Sequence, residues 1–373
     1  LELNDKKIDE MIAQIDDVMK LDDPIGKTLF SSELSSGLEL FQISVPIGVI
    51  GIIFESRPDA LVQISALCIK SGNAAILKGG SEAKHTNKLL FELIDNALTE
   101  SNFPKNTIQL IETREDVQKI LKLDRYIDLL IPRGSNRFVQ FIKENTKIPV
   151  LGHAEGICHV YVDKDANLNK ATAIAIDAKC QYPAACNAME TLLVHAGIAP
   201  SFFKTCIPLL LQNKVELRLD PAGIALAKKL KLHNKQMKIA NARDWDSEYS
   251  SLCLSVKIVA SVQEAIEHIN THGSKHTDAI ITENKKAALD FMRSVDSSSV
   301  MVNASTRFAD GFRYGKGAEV GISTSKIHAR GPVGLEGLIS YKYVVVGSGD
   351  VVSDFSSGQR KFTQTKLNKK LGL

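Results

Sequence analysis

The sequence contains no apolar run of the roughly 18 residues that a membrane-spanning helix needs. It begins LELNDKKIDE, which has neither the basic start nor the apolar segment of a signal peptide, and it lacks an initiator Met, as expected of a fragment or a processed product. Lys and Arg number 46 against 43 Asp and Glu, and the net charge of +3 is spread along the chain. We therefore expect no membrane partner, no nucleic-acid partner and a cytoplasmic location.

Cysteine pairs with metal-ligand spacing are also missing. The sequence has no CxxC pair, and its six cysteines follow no secretory signal, so neither a zinc site nor a disulfide framework is expected. Reduced thiols are the better interpretation, and one of them is then free to act as a nucleophile. The six are Cys68, Cys158, Cys180, Cys186, Cys206 and Cys253.

Apolar residues (44%) and charged residues (24%) are present in the proportions of ordinary globular domains, which excludes disordered and fibrous classes. Short apolar runs alternate with helical stretches, which predicts an α/β fold with two doubly wound parallel sheets. In the first half, strands are predicted at 48–54, 74–78, 107–112, 127–132 and 148–152. In the second half, they are predicted at 157–162, 189–194, 256–260 and 278–281.

Two segments lie outside this alternation. Residues 30–44 alternate apolar and polar side chains as a hairpin does. Residues 359–373 carry five basic side chains, and we expect a solvated, mobile tail there.

Two strand-to-helix junctions have the composition of an anion site. In ILKGGSEA, Lys78 ends a strand, Gly79 and Gly80 let the backbone turn, and Ser81 begins a helix whose free amides attract anions. IPRGSNRF has the same form, with Gly134 and Ser135 before a helix. The GxGxxG pattern of common dinucleotide folds is absent. A plain turn is the alternative at both junctions.

Cys186 has the most suggestive setting among the thiols. It lies in QYPAACNAMETLLV, where small residues and Pro183 predict a loop that leads into a strand. His153, in LGHAEG, follows a predicted strand and is either an acid–base group or a hydrogen-bonded loop histidine. The stretch 303–338 is rich in glycine, arginine and lysine, which suits either close contact with an anionic ligand or a long solvated loop.

Several blocks together resemble the gamma-glutamyl phosphate reductases, a branch of the aldehyde dehydrogenase superfamily. They are VPIGVIGIIFESRPDALVQI, ILKGGSEA, LLIPRGSN, PVLGHAEGICHVYVD, YPAACNAMETLLVH, HTDAIITEN and the glycine-rich run from Asn303 to Leu338. The residues of these blocks are most similar to the reductase half of the pyrroline-5-carboxylate synthetases, and the resemblance covers roughly residues 1 to 355. Such proteins usually carry several dozen more residues before the position of Leu1.

The resemblance implies an NADPH-dependent reduction of L-glutamyl 5-phosphate to glutamate 5-semialdehyde, with release of phosphate, in proline biosynthesis. Cys186 matches the nucleophile, which forms a thioester, and backbone amides near Cys186 and Asn187 are expected to hold the oxyanion. The residues that match cofactor-binding positions are Lys78, Gly79, Gly80, Ser81, Gly134, Ser135 and Glu248.

The substrate's phosphate and carboxylate both call for cations, and the expected substrate-binding residues are Arg57, Asn303, Arg307 and Arg330. Hydrolytic aldehyde dehydrogenases place a Glu where this sequence has His153, and that Glu activates water against the thioester. A His there suits a reductase, whose thioester must meet hydride. A shift of the alignment would instead bring Glu155 near the site.

The resemblance also implies a domain plan and partners. Residues 1–152 form the NADPH-binding domain, with 30–44 in an oligomerisation arm; 153–325 form the catalytic domain; 326–373 return to the first domain, the arm and the tail. We expect a homodimer or a higher even oligomer, a glutamate 5-kinase as partner or fused domain, and a mitochondrial location if the source is an animal. The alternatives are a reductase of another acyl phosphate or acyl-CoA, and an inactive binding module with the same fold.

Overall fold

The computed structural model describes residues 4–55, 58–153, 155–232 and 234–372. Its helices are α1 (Asp5–Lys20), α2 (Pro58–Lys70), α3 (Lys84–Glu100), α4 (Arg114–Ile120), α5 (Asn136–Glu144), α6 (Leu168–Cys180), α7 (Ala199–Gln212), α8 (Pro221–Lys229), α9 (Val262–His272), α10 (Lys285–Ser294) and α11 (Val352–Ser356). Within these described ranges, no helix is both long enough and apolar enough to pass through a membrane.

Strands alternate with these helices in both halves of the chain. They are β1 (Thr28–Ser35), β2 (Leu38–Pro46), β3 (Val49–Phe54), β4 (Ala74–Lys78), β5 (Ile108–Leu110), β6 (Leu129–Arg133), β7 (Cys158–Val162), β8 (Met189–His195), β9 (Glu216–Leu219), β10 (Met237–Ile239), β11 (Cys253–Val259), β12 (Thr277–Ile281), β13 (Ser299–Val302), β14 (Gly321–Ser323), β15 (Gly331–Val333), β16 (Ile339–Val346) and β17 (Thr365–Lys366).

The first lobe is built on a parallel sheet in the order β5-β4-β3-β6. Its strands are almost wholly apolar because helices cover both faces, and Ile52 and Leu77 are fully buried against Leu61 of α2. The strand predicted at 148–152 is wrong: Val150 forms a single bridge with Leu130. Pro149 has no N–H to donate, so the ladder cannot extend.

The second lobe is a seven-stranded parallel sheet in the order β10-β9-β11-β8-β7-β12-β13. Its core packs buried residues of β7 and β8 against Phe202 and Phe203 of α7. The α/β fold with two parallel sheets is therefore confirmed. Strands β9, β10 and β13 were not predicted, because each has only three or four residues and mixes polar with apolar side chains.

A third, antiparallel sheet, the arm sheet, has the order β16-β2-β1-β17. The predicted hairpin is confirmed by the β1–β2 pairing, which turns through Gly37 at a φ of 77°. The expectation of a mobile tail is corrected. Strand β17 pairs with β1, and the Lys369 ammonium lies 2.6 Å from a Glu39 carboxylate oxygen, so the chain end completes this sheet.

The helix expected to begin at Ser81 also differs in detail. Residues Ser81–Ala83 form one 3₁₀ turn after Gly80, and the α-helix begins at Lys84. Strands β14 and β15 pair with each other, and the neighbouring Val320 and Leu335 belong to the core of the first lobe. The chain thus returns to the first lobe after crossing the second.

Candidate active site

A cleft of about 780 Å³ separates the two lobes. The first lobe contributes the carboxyl ends of β3 and β6, with Glu55 and Arg133–Ser135. The second lobe contributes the amino ends of its strands. There the segments before β7 and β8 bring His153 and Cys186 to the cleft. The site therefore forms where the carboxyl edge of one parallel sheet faces the amino edge of the other.

The main chain of Cys186 lies directly against Gly156. A β-carbon on Gly156 would be 2.2 Å from the Cys186 carbonyl oxygen and 2.7 Å from its Cα, so only glycine fits there. The same carbonyl accepts a hydrogen bond from the Cys158 thiol at 3.3 Å. These contacts hold the nucleophile loop between two segments of the second lobe.

The Cys186 thiol is half-buried and protonated at neutral pH. Burial raises its pKa to about 12, the carboxylates of Glu319 and Glu248 also raise it, and the Arg307 guanidinium opposes them. A thiol in this setting needs a base when it attacks a substrate. The residues that surround it therefore decide its reactivity.

Two histidines stand beside the thiol. Ring nitrogens of His153 and His276 and the Cys186 sulfur all lie within 4.8 Å of one another, and the two rings meet edge to face at 4.9 Å. Burial lowers the pKa of His153 and lowers that of His276 to about 3, so both rings are neutral. His153 Nδ1 donates to the Ile322 carbonyl at 3.0 Å, which leaves its Nε2 as an acceptor.

Glu155 does not replace His153 in the cleft. Its side chain is exposed and is not part of the lining, although partial burial and the charges of Glu248 and Asp246 raise its pKa. The structure thus places His153, and not Glu155, in the lining of the cleft.

The side chains of Asn187 and Glu248 form hydrogen bonds that connect separate segments of the site. Asn187 is buried, and its Nδ2 donates to the Ala309 carbonyl at 2.8 Å. Glu248 Oε2 accepts from the Gly156 amide at 3.0 Å and from Asn136 Nδ2 at 3.2 Å. Because Asn136 begins α5 of the first lobe, this carboxylate bridges the two lobes inside the cleft.

Six of the seven predicted cofactor residues lie along one edge of the first sheet, and the seventh, Glu248, belongs to the second lobe. Gly134 and Ser135 line the cleft, where Ser135 precedes α5 without a side-chain cap of its own. The Lys78–Ser81 segment does not line the cleft and lies further along the same edge, at the end of β4, with β3 between β4 and β6.

Gly79 leaves no room for a side chain in that segment. A β-carbon there would lie 2.1 Å from Asn87 Nδ2, and the buried Asn87 Oδ1 has no hydrogen-bond partner within the described chain. The turn after β4 therefore requires a glycine at position 79.

Four residues were expected to bind substrate, and of the three that the structure describes it brings one to the cleft. Arg307 lines it, donates from Nε to Gln181 at 2.9 Å and lies over the Tyr182 ring. Arg330 instead pairs with Asp296 at 2.9 Å in a separate depression, and Asn303 holds the Thr282 main chain with both ends of its amide. Arg57 lies outside the described residues.

Sequence reasoning missed several residues of the cleft. Arg133 and Arg137 flank the start of α5, and Glu319 approaches from the segment before β14. Arg133 had a signal, since it stands beside Gly134 in IPRGSN. His276 had none, because only the packing of the second sheet brings the start of β12 beside Cys186.

The chain matches the model of the aldehyde dehydrogenase family over residues 1–244. An acetylating aldehyde dehydrogenase from Geobacillus thermoglucosidasius shares this fold at a TM-score of 0.63 and 18% identity, over 84% of this chain and 77% of that one. The fold of the two lobes is therefore that of an aldehyde dehydrogenase.

More similar proteins carry a more specific name. "Gamma-glutamyl phosphate reductase" from Methanococcoides burtonii is 58% identical over all of this chain and 83% of its own length, and the protein of that name from Acetivibrio thermocellus is 54% identical over 100% and 85%. The crystal structure of the Thermotoga maritima protein of that name superposes at a TM-score of 0.90 with 42% identity, over 94% of this chain and 84% of that one. The chain belongs to the gamma-glutamyl phosphate reductases of the aldehyde dehydrogenase family.

Proposed function

We propose that this protein reduces L-glutamyl 5-phosphate to L-glutamate 5-semialdehyde with NADPH, releasing phosphate, as a step of proline biosynthesis. The observation that carries the proposal is Cys186 at the cleft between the lobes, with two neutral histidines beside it and a cationic helix start across from it. The substrate class follows from the relatives, which carry the reductase name at 52–58% identity over the whole chain or nearly all of it.

The first chemical step belongs to Cys186. Its sulfur attacks the 5-carbonyl carbon of the substrate, the bond from that carbon to the phosphate oxygen breaks, and inorganic phosphate leaves a thioester on the cysteine. The thiol proton passes to His153, whose ring nitrogen lies within 4.8 Å of the sulfur. Backbone amides at Cys186 and Asn187 stabilise the oxyanion, since the Asn187 side chain is already bonded to Ala309.

The edge of the first sheet suits the cofactor. Gly134 and Ser135 at the start of α5 offer free amides to a pyrophosphate, and Glu248 accepts from ribose hydroxyls. The segment Lys78–Ser81 offers an ammonium and donors to a 2′-phosphate at the far end of the same edge. NADPH, when bound there, supplies hydride to the thioester carbon, and the released product is the semialdehyde.

The cations of the cleft suit the substrate's charges. Arg307 stands on the Cys186 side, and Arg133 and Arg137 stand at the start of α5. We propose that Arg307 binds the phosphate or the α-carboxylate. Asn303 and Arg330 have no place in this proposal, because each is engaged away from the cleft.

An acyl phosphate is short-lived in water, so we propose that a glutamate 5-kinase supplies it, as a partner or as a fused domain. A cytoplasmic setting suits six cysteines that are all free. The assembly we propose is a homodimer or a higher even oligomer.

The test is substrate-dependent oxidation of NADPH, followed by its absorbance, with glutamyl phosphate generated in place by a kinase and ATP. Stoichiometric semialdehyde and phosphate are expected. Matched reactions with an acyl-CoA and with acetyl phosphate separate the alternative reductases. No oxidation with any of these acyl donors, from protein that binds NADPH, would favour the binding module.

A further inference from the structure

We propose that Cys186, His153 and His276 also form a binding site for a zinc ion, whose occupation reversibly switches the enzyme off. One sulfur and two imidazole nitrogens lie within 4.8 Å of one another, and each comes from a different segment of the chain. The site shares Cys186 and His153 with the proposed reaction, and the binding of a metal ion goes beyond that reaction.

The three donors are those that zinc prefers. Zinc binds thiolate sulfur at about 2.3 Å and imidazole nitrogen at about 2.0–2.1 Å in tetrahedral geometry, and it often keeps a fourth position for water. Tetrahedral ligands at these bond lengths stand roughly 3.4 Å apart, so small side-chain rotations close the present separation. Cys186 and His153 line the open cleft, which gives the ion a path from solvent.

His276 provides the second observation that points to a ligand. It is fully buried, and its Nε2 has no hydrogen-bond partner anywhere in the described chain. Nδ1 lies 2.8 Å from the Thr277 hydroxyl, an orienting contact of the kind that metal-bound histidines commonly have. A buried polar atom without a partner is costly unless something binds it.

The charges around the cluster favour a dication. The carboxylates of Glu248 and Glu319 line the cleft together with Cys186, and the Arg307 guanidinium is the cation among these neighbours. When the zinc–sulfur bond forms, the thiol proton leaves to solvent, and no oxidation or reduction occurs. The bound sulfur is then no longer available to attack a carbonyl carbon.

Cobalt(II) tests the geometry directly, because a cobalt–thiolate bond has an intense charge-transfer absorption and tetrahedral cobalt has visible bands. Reduced, untagged protein is titrated with Co²⁺ and then with Zn²⁺, in the absence of substrate. We expect one Co²⁺ per chain with a thiolate band, displacement by Zn²⁺, and release of about one proton per ion.

Variants assign the ligands. Cys186→Ser should abolish the thiolate band, and His276→Asn should weaken Zn²⁺ binding and Zn²⁺ inhibition by at least about tenfold. His268→Asn, which changes another buried histidine outside the cluster, is the matched control and should change neither. Wild-type protein with no thiolate band, or Zn²⁺ binding that is unaltered in His276→Asn, would overturn the proposal. Because Co²⁺ and Zn²⁺ binding is measured without substrate, failure of the binding test leaves the reductase assay unaffected, and failure of the assay leaves the binding test intact.

Discussion

At the scale of single residues, the site depends on a glycine as much as on the nucleophile. Gly156 lies in the segment before β7, and Cys186 lies in the segment before β8. The two segments contact each other through main-chain atoms, and any side chain at position 156 would displace the Cys186 backbone. The nucleophile is thus positioned by backbone contacts, while its sulfur is left free to react.

The first prediction concerns that sulfur. Cys186→Ala should lower kcat by more than about 100-fold, because no thioester can form, while NADPH binding and thermal stability change little. Cys180→Ala is the matched control, since Cys180 is also half-buried but does not line the cleft. Steady-state kinetics measures kcat, and titration with NADPH measures cofactor binding, in the wild-type protein and both variants. A Cys186→Ala enzyme with near-normal turnover would contradict covalent catalysis.

The second prediction concerns His153. Run backwards from the semialdehyde and NADP⁺, the enzyme should require inorganic phosphate and yield no free glutamate, because a neutral His bonded to Ile322 replaces the water-activating Glu. In the His153→Glu variant, the rate of phosphate-independent NADP⁺ reduction should rise roughly 10²-fold over the wild-type rate if the carboxylate reaches water. The His153→Gln variant should show no such rise. Glutamate from the wild-type reaction without phosphate would show that another base activates water.

At the scale of elements, the β4-to-α3 junction should decide cofactor choice. Lys78→Ala should reduce the preference for NADPH over NADH by roughly 10–100-fold, the value of one charge-assisted hydrogen bond. Comparison of kcat/KM for both cofactors measures it, with Lys88→Ala on the outer part of α3 as the control. Equal kcat/KM for the two cofactors in the wild-type enzyme would refute the assignment.

A buried ion pair joins α6 to β8 behind the nucleophile loop. The Lys179 ammonium lies 2.5 Å from Glu190 Oε2, both side chains are almost fully buried, and Glu190 Oε1 accepts from the Ser250 amide at 3.1 Å. The pair therefore holds the Cys186 loop and the segment of Glu248 in one arrangement.

Glu190→Gln should lower the free energy of unfolding by about 3–5 kcal/mol, because it leaves the Lys179 ammonium buried without a counter-charge. Glu283→Gln breaks the exposed pair with Lys170 and should cost about 1 kcal/mol or less. Urea denaturation of the three proteins checks both values. Equal stability of the two variants would mean that Lys179 finds another partner.

At the scale of the whole molecule, the arm sheet ends in a strand with one hydrogen-bonded neighbour among the described residues. Strand β16 ends the sheet, with β2 as its hydrogen-bonded neighbour among the described residues, and Tyr341, Tyr343 and Val345 are more than half exposed on one face. Unpaired edges with apolar side chains are templates for pairing between chains.

We expect light scattering to give the mass of a dimer or a higher even oligomer. Val345→Lys should shift the population toward monomer, while Val352→Lys, at an exposed residue beyond the arm sheet, should not. A monomeric mass for the wild-type protein at concentrations where it is active would refute the prediction.

Elements with a local signal were predictable from the amino-acid sequence. Strands β3 and β4 are short, almost wholly apolar runs between turn residues, and such runs are buried in most folds. The turn at Gly79–Gly80 and the loop around Cys186 were also predictable, the latter chiefly because its residues match a known block.

Features that depend on partners distant in the chain were not predictable in this way. Residues 359–373 look like a free basic end until β1 offers a strand for Thr365 and Lys366 to pair with. His276 reaches Cys186, and Arg330 does not, because sheet order and lobe packing set those distances. Spacing along the chain carries no record of such contacts, since they form only when separate strands have assembled.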